Sequence, residues 1–210
     1  NDSFATFAHS AFTNSSVLPL TDSNSGSGLR VEITENDYAV VAVSRTGAAP
    51  GGNPFRSGPP GVCVIGEYGH VFQDSGVTLR LNPFSNHHQI GVTGSVEYEL
   101  CDRVSLFSRA GIGCGGPAGT TADFSCGAIV KPIPSRPDDF FGLAYALIKA
   151  DRSAAEDSYR NRESVLELMY CFQMDEHLKI MPHAQYTRNP AYGTDKRDEY
   201  LIGVQAVISF

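Results

Sequence analysis

Residues 198–210, "DEYLIGVQAVISF", show the clearest β-strand pattern of the chain. From Tyr200 onward every second residue is apolar, and the residues between them are smaller or more polar. A period of two places the two sets on opposite faces of a β-strand. The stretch reaches an aromatic residue, Phe210, whereas the last residues of a soluble domain are usually frayed and polar. It therefore predicts a strand with one apolar face that extends to Phe210.

The same two-residue period recurs along the whole chain. It predicts strands at 2–8, 28–34, 37–45, 61–72, 76–82, 89–100, 103–113, 120–130, 139–149, 163–173, 176–187 and 198–210. No helical periodicity is as strong as this alternation. The sequence thus predicts an all-β chain of about twelve antiparallel strands, in a single domain over residues 1–210.

Composition excludes several classes of protein. The net charge is −7 and no basic cluster is present, so no nucleic-acid partner is expected. No window approaches the roughly 18 apolar residues of a membrane helix, but the alternating strands of a transmembrane barrel need no such window. The five cysteines form no C-x-x-C pair, so we predict no metal site and no cofactor. Cys114 and Cys126 flank a predicted turn, and either pair with each other or remain free thiols.

The connections distinguish two kinds of β protein. Counted back from the C-terminus, every other connection is short, at 173–176, 101–102, 73–76 and 35–36. Those between them tend to be longer, at 188–197, 151–162, 46–60 and 9–27, and 131–139 is the exception on the short side. Short turns at one rim and long loops at the other are typical of an outer-membrane β-barrel. Alternation alone also fits a soluble β-sandwich, but the loop asymmetry favours the membrane barrel.

Three segments carry a resemblance to a known family. They are "KPIPSRPDDFFGLAYALIKAD" (131–151), "ESVLELMYCFQMDEHLKIMPHAQYTRNP" (163–190) and the last strand. The matching positions are Arg136, Pro137, Asp139, Gly142, Glu163, Leu166, Glu167, Leu168, Tyr170, Pro182, Gln185, Tyr186, Asn189 and Pro190. With these motifs the chain resembles the C-terminal part of the OprB-type carbohydrate-selective porins. The resemblance is specific over 131–210, fair over 61–130 and faint before that.

The resemblance implies a transmembrane antiparallel β-barrel in the bacterial outer membrane, with no catalytic activity. It implies passive diffusion of small hydrophilic solutes, above all sugars, and makes Phe210 an expected signal for barrel assembly. Family members are about twice as long and close with sixteen strands. We therefore expect further N-terminal strands or a second chain to complete the wall, and association into a homo-oligomer is a further possibility. The alternatives are a structural wall subunit of a larger outer-membrane complex and a soluble β-sandwich binding module.

The lumen-facing parity singles out polar residues in the middle of the strands. The candidate pore-lining and solute-binding residues are Glu67, Arg80, Glu97, Arg109, Glu167, His183 and Gln185. At similar heights on different strands they would form a ring of mixed charge, which suits a neutral solute rich in hydroxyls. The alternative is that Glu167 and Arg109 pair across the lumen and only stabilise the wall.

Two further candidates have weaker support. His87 and His88 are adjacent, so on a strand they point to opposite faces and make a poor metal site. Asp138 and Asp139 stand at a turn that enters a strand, where carboxylates cap backbone amides.

Overall fold

The structure is a computed structural model that describes residues 7, 26–46, 61–85, 89–114, 120–131, 135–136, 138–150, 162–190 and 198–208. These residues contain eleven β-strands and one short 3-10 turn, Gln73–Ser75. The strands are β1 (Gly26–Glu32), β2 (Asp37–Thr46), β3 (Gly61–Phe72), β4 (Val77–Ser85), β5 (Ile90–Cys101), β6 (Val104–Cys114), β7 (Thr120–Val130), β8 (Phe140–Ala150), β9 (Arg162–Gln173), β10 (Leu178–Arg188) and β11 (Glu199–Ile208). Among the described residues, no helix is long and apolar enough to cross a membrane.

Each strand pairs antiparallel with the next, so the described strands form a single sheet in the order β1 to β11. The all-β prediction is confirmed, and eleven of the predicted strands lie within about three residues of their predicted ends. The predicted strand 2–8 falls outside the described residues except for Phe7, which belongs to no strand, and Phe210 also falls outside them. A β-sandwich needs two packed sheets, so the soluble-sandwich alternative is wrong for the described chain.

The two faces of the sheet differ in exposure. In β9 the side chains of Val165, Glu167 and Met169 are buried, and the alternate side chains of Leu166 and Leu168 are exposed. We call the face with the buried side chains the inner face and the other the outer face. Large apolar side chains cover the outer face of the sheet, and in β11 Ile202 is 88% exposed. An apolar surface of this extent requires an apolar environment.

Tyrosines mark both rims of the outer face. The Tyr68 hydroxyl donates to Asp37 Oδ1 at 2.5 Å beside the short turns, and the Tyr186 hydroxyl donates to Asp198 Oδ2 at 2.7 Å beside the long loops. A ring in an apolar layer with its hydroxyl on a rim carboxylate is the arrangement of an interfacial aromatic belt. Tyrosine thus takes the belt positions in a chain that has no tryptophan.

The exceptional connection at 131–139 is fastened by Asp139, whose side chain is 2% exposed. Its carboxylate accepts from the Gln173 backbone amide at 3.0 Å and binds the Arg136 guanidinium, with Nε at 2.7 Å. Burial alone would raise the pKa of Asp139, but the Gln173 amide, Arg136 and the Tyr170 hydroxyl outweigh it and lower that pKa. The predicted capping role of Asp139 is confirmed, while Asp138 is exposed.

All five cysteines are described and all are free. Of the two alternatives for Cys114 and Cys126, the disulfide is therefore wrong and the free thiols hold. Cys63 and Cys171 are buried on the inner face, where they act as small apolar side chains.

Candidate functional site

The strand register places the seven predicted site residues on the inner face, in four successive rows. A row here is a set of residues that lie directly opposite one another on neighbouring strands. Glu67 lies opposite Val40, and Arg80 and Arg109 share the next row through Ser95. The row after that holds Glu97, Glu167 and Gln185, which are linked through Phe107, Gly127 and Ala144. His183 lies one row closer to the short turns, opposite Met169. Neighbouring rows are about 7 Å apart along a strand, so the seven residues form a band deeper than a single ring.

Six side chains of β1 to β5 form one connected group, which we call the polar cluster. It consists of Arg30, Tyr38, Glu67, Arg80, Asn82 and Glu97. The Tyr38 hydroxyl donates to Glu67 Oε1 at 2.8 Å, and Asn82 Nδ2 donates to Glu67 Oε2 at 2.6 Å. Both oxygens of the Glu67 carboxylate are therefore held by neutral donors.

Arg80 joins the two carboxylates of the polar cluster. Its Nη1 binds Glu97 Oε1 at 2.5 Å and its Nε donates to the Tyr38 hydroxyl at 3.3 Å. The Arg30 guanidinium lies 3.9 Å from the centroid of the Tyr38 ring, a cation–π contact. The Arg80 and Glu97 side chains are 26% and 11% exposed, so the pair is partly shielded from water and still reachable by a solute.

The other predicted residues lie across the sheet. Gln185 Nε2 donates to Glu167 Oε2 at 3.2 Å, and Glu167 is fully buried. Arg109 stands between Ser95 and Ser125 in the register. The sequence predicted a single ring, but the structure separates these residues into two hydrogen-bonded groups. One group contains Glu67, Arg80 and Glu97, and the other contains Glu167 and Gln185. The pairing of Arg109 with Glu167 stays a prediction.

Four rings on the inner face lie over a glycine of the neighbouring strand. The pairs are Tyr38 with Gly69, Phe84 with Gly91, Phe107 with Gly127, and His183 with Gly203, each in direct register. A Cβ added to Gly203, for example, would lie 2.6 Å from His183 Nε2. Because glycine has no side chain, each ring packs flat against the wall rather than projecting from it.

Part of the inner face is apolar, although the candidate site residues on that face are all polar. Nine buried side chains form this apolar patch: Phe7, Phe107, Ala144, Ala146, Ile148, Val165, Met169, Cys171 and Met181. Phe7 is 2% exposed and its ring centroid lies 5.5 Å from that of Phe107. The alternation fixed which residues face inward, but the inward residues of β8 are mostly small and apolar, and Phe7 packs with them.

Sequence reasoning missed Tyr38, Asn82, Arg30 and Phe7. The sequence pattern could have indicated the first three, because each belongs to the inward-facing set of alternate residues from which the candidate site residues were taken. Phe7 gave no such signal. No group of three metal-ligating side chains occurs within the described ranges, and His87 and His88 lie outside them.

Comparison with known proteins identifies the chain. The family model of the carbohydrate-selective porins, OprB family, matches residues 72–210, from the end of β3 through β11. The chain belongs to the OprB family. The resemblance of its three motif segments is thereby confirmed. No significant match was found among curated proteins by sequence.

Several solved structures share the fold of this OprB-family chain. OprB of Pseudomonas putida at high pH gives a TM-score of 0.70 at 15% identity, over 88% of this chain and 58% of that one. The outer-membrane channel DcaP of Acinetobacter baumannii gives 0.63 at 9% identity, over 88% and 62%. The NanC porin gives 0.55 at 9% identity, over 89% and 93%. The chain therefore spans less than two thirds of the length of the first two channels.

These findings confirm the predicted fold class and location. The sheet is the wall of a transmembrane antiparallel β-barrel, and its family places it in the bacterial outer membrane. The outer apolar face with its tyrosine belts is the lipid-facing surface, and the inner face is directed to the lumen. The short turns then lie at the periplasmic rim and the long loops at the extracellular rim.

Proposed function

We propose that this OprB-family chain forms part of an outer-membrane channel through which small hydrophilic solutes, chiefly carbohydrates, pass by diffusion. The observation that carries the proposal is the polar cluster on the inner face. It offers guanidinium and amide donors beside carboxylate and phenol acceptors, connected by bonds of 2.5–3.3 Å. A sugar hydroxyl both donates and accepts, so a surface that presents both groups can exchange its own bonds for bonds to the solute.

Two features support weak, transient binding of the kind that conduction needs. The polar cluster contains two arginines and two glutamates, and Glu32 binds Arg30 at 2.7 Å, so the group carries both signs with a net formal charge of only −1. The aromatic rings over Gly69, Gly91 and Gly127 are buried against the wall, so they do not narrow the lumen beside the polar cluster. Of the predicted residues, Glu67, Arg80, Glu97, Arg109, His183 and Gln185 are on this proposal the polar lining of the pore. The fully buried Glu167 lies behind them and accepts a hydrogen bond from Gln185.

The wall needs further strands to conduct. In an alternating sheet of eleven strands β1 and β11 run in the same direction, so they cannot pair antiparallel with each other. Closing the barrel takes an odd number of additional strands, since open edges leave unpaired backbone groups in hydrocarbon. Sixteen strands, as the resemblance implies, would add 16 − 11 = 5, which satisfies this condition. Such strands come from further residues of the polypeptide or from a second chain.

Reconstitution tests the proposal. The complete channel, purified from outer membranes, is inserted into planar bilayers and into liposomes that swell when a neutral sugar enters. Single-channel steps that glucose or a disaccharide reduces, with sugar-dependent swelling, support the proposal. A folded, inserted protein that gives no steps and no swelling refutes it and favours the structural wall subunit. Mass measurement of the assembly in the same detergent reports whether a second chain or a homo-oligomer completes the wall.

A further inference from the structure

The outer wall carries an apolar groove that the channel function does not use. It has a volume of about 650 Å³, within the roughly 300–1,000 Å³ of sites that hold small ligands. Its lining side chains are mainly outward residues of β3, β4 and β5: Tyr68, His70, Phe72, Leu79, Leu81 and Val96, with Gly94 between them. We call it the outer groove.

Small residues form the floor of the outer groove. One register row on the outer face runs from Tyr68 through Leu81, Gly94 and Ala110 to Phe124. Tyr68 and Phe124 are 47% and 41% exposed, whereas Gly94 has no side chain and Ala110 only a methyl group. A Cβ placed on Gly94 meets nothing closer than 3.7 Å. The wall is therefore low between Leu81 and Phe124, and the depression over Gly94 is open to an occupant.

A hydrogen-bonded aspartate–histidine pair lies at the periplasmic end of the outer groove. Asp37 Oδ1 binds His70 Nδ1 at 2.6 Å, and the two side chains are 20% and 26% exposed. Tyr68, a wall of the groove, donates its hydroxyl to the same carboxylate oxygen. With Nδ1–H donated to Asp37, Nε2 of the His70 imidazole carries the lone pair and accepts a hydrogen bond. The pair thus offers a hydrogen-bond acceptor and a carboxylate next to an apolar channel.

We propose that the outer groove seats one phospholipid of the periplasmic leaflet, with an acyl chain over Gly94 and its headgroup at His70 and Asp37. The groove is continuous with the lipid-facing wall, so hydrocarbon is the solvent that enters it. A zwitterionic headgroup with a primary ammonium complements the pair, because its N–H groups donate to the imidazole Nε2 and its positive charge approaches the carboxylate. A second copy of the chain fits poorly, since a stable protein interface needs about 800 Å² on each partner, far beyond this depression.

The test measures retained lipid in the complete channel. Protein extracted in mild detergent is delipidated, incubated with phosphatidylethanolamine and analysed by native mass spectrometry. Gly94→Leu occupies the floor of the outer groove. Ala110→Leu, directly opposite Gly94 on the neighbouring strand, extends a side chain towards that floor and is the second filling variant. Ala184→Leu, on the exposed outer face of β10, adds the same side chain elsewhere and is the matched control. Heat-modifiable migration verifies that each variant is folded.

We expect one lipid bound per chain, a reduction of about fivefold or more in both filling variants, and wild-type retention in Ala184→Leu. His70→Ala should reduce the preference for phosphatidylethanolamine over a neutral diacylglycerol and leave binding of the latter intact. Equal lipid retention in wild type and both filling variants overturns the proposal. So does a change in oligomeric state of the filling variants without a change in bound lipid, because the occupant is then a second copy.

Discussion

Replacing Arg80 by alanine removes one of the two positive charges of the polar cluster and leaves both of its carboxylates in place. Arg80 binds Glu97 and Tyr38 and is 26% exposed, so its charge acts on the lumen. With Glu32, which binds Arg30, included, the formal charge changes from −1 to −2. An ion that passes about 8 Å away in a water-like medium interacts with one unit charge by about 0.5 kcal/mol.

That energy translates into a measurable selectivity. A cation gains about 0.5 kcal/mol and an anion loses the same amount, so the cation-to-anion permeability ratio rises about fivefold in dilute salt. At about 0.1 M salt the Debye length is about 10 Å, and screening reduces the change to about twofold. Reversal potentials of reconstituted channels under a KCl gradient, measured at both ionic strengths, give these ratios directly.

Two variants serve as controls for Arg80→Ala. Arg80→Ala combined with Glu97→Gln restores the net charge and should return the permeability ratio to that of wild type. Arg162→Ala removes the same charge from an exposed position at the start of β9 and should change the ratio little. An Arg80→Ala channel with unchanged selectivity, or with no greater change than Arg162→Ala, refutes the placement of the polar cluster in the conducting path.

Three further predictions concern other parts of the wall. The pKa of Asp139 is lowered in the fold, so its ionised carboxylate stabilises the folded protein at any pH above the usual pKa of about 4, and this stabilisation is lost as the pH falls through the lowered pKa. Asp139→Asn should therefore flatten the dependence of the urea unfolding midpoint on pH between 7 and 3. A dependence as steep as that of wild type would contradict this role of Asp139. Gly69→Ala overlaps the Tyr38 ring and should push it into the lumen, which lowers single-channel conductance, whereas unchanged conductance would contradict the flat packing. Phe7→Ala removes a side chain that is 2% exposed, so the free energy of unfolding should fall by about 3 kcal/mol. Maleimide should also label the buried Cys171 thiol faster. Labelling at the wild-type rate would contradict the packing of Phe7 on the apolar patch.

The strands and their faces could be predicted because both follow from neighbouring residues. The alternation in 163–173 and 198–210 assigned the inner and outer sets correctly, since a strand turns each successive side chain to the opposite face. The family motifs in 131–190 were sufficient to predict the barrel. They also include Asp139, which the structure shows bound to the Gln173 backbone amide and to Arg136.

The composition of the candidate site was harder to predict, because its members are distant in sequence. The predicted ring assumed equal heights for mid-strand residues, but the register distributes them over four rows. Asn82 was missed although it lies beside Glu67, because its position opposite that residue depends on the pairing of β3 with β4. Phe7 lies outside the described strands, so no periodicity could place it on the apolar patch.

The two faces of each strand, one apolar and one more polar, could be read from the sequence, because a two-residue period is a local property of a strand. The sequence also determined which rim has the short turns, since connection lengths are read directly. The contacts between inward side chains of different strands, in contrast, became known from the tertiary structure. The Tyr38 hydroxyl reaches Glu67 across 29 residues of sequence, and Arg80 reaches Glu97 across 17. Those contacts depend on the register between strands, which the hydrogen-bonded pairing of the whole sheet sets and no single strand contains.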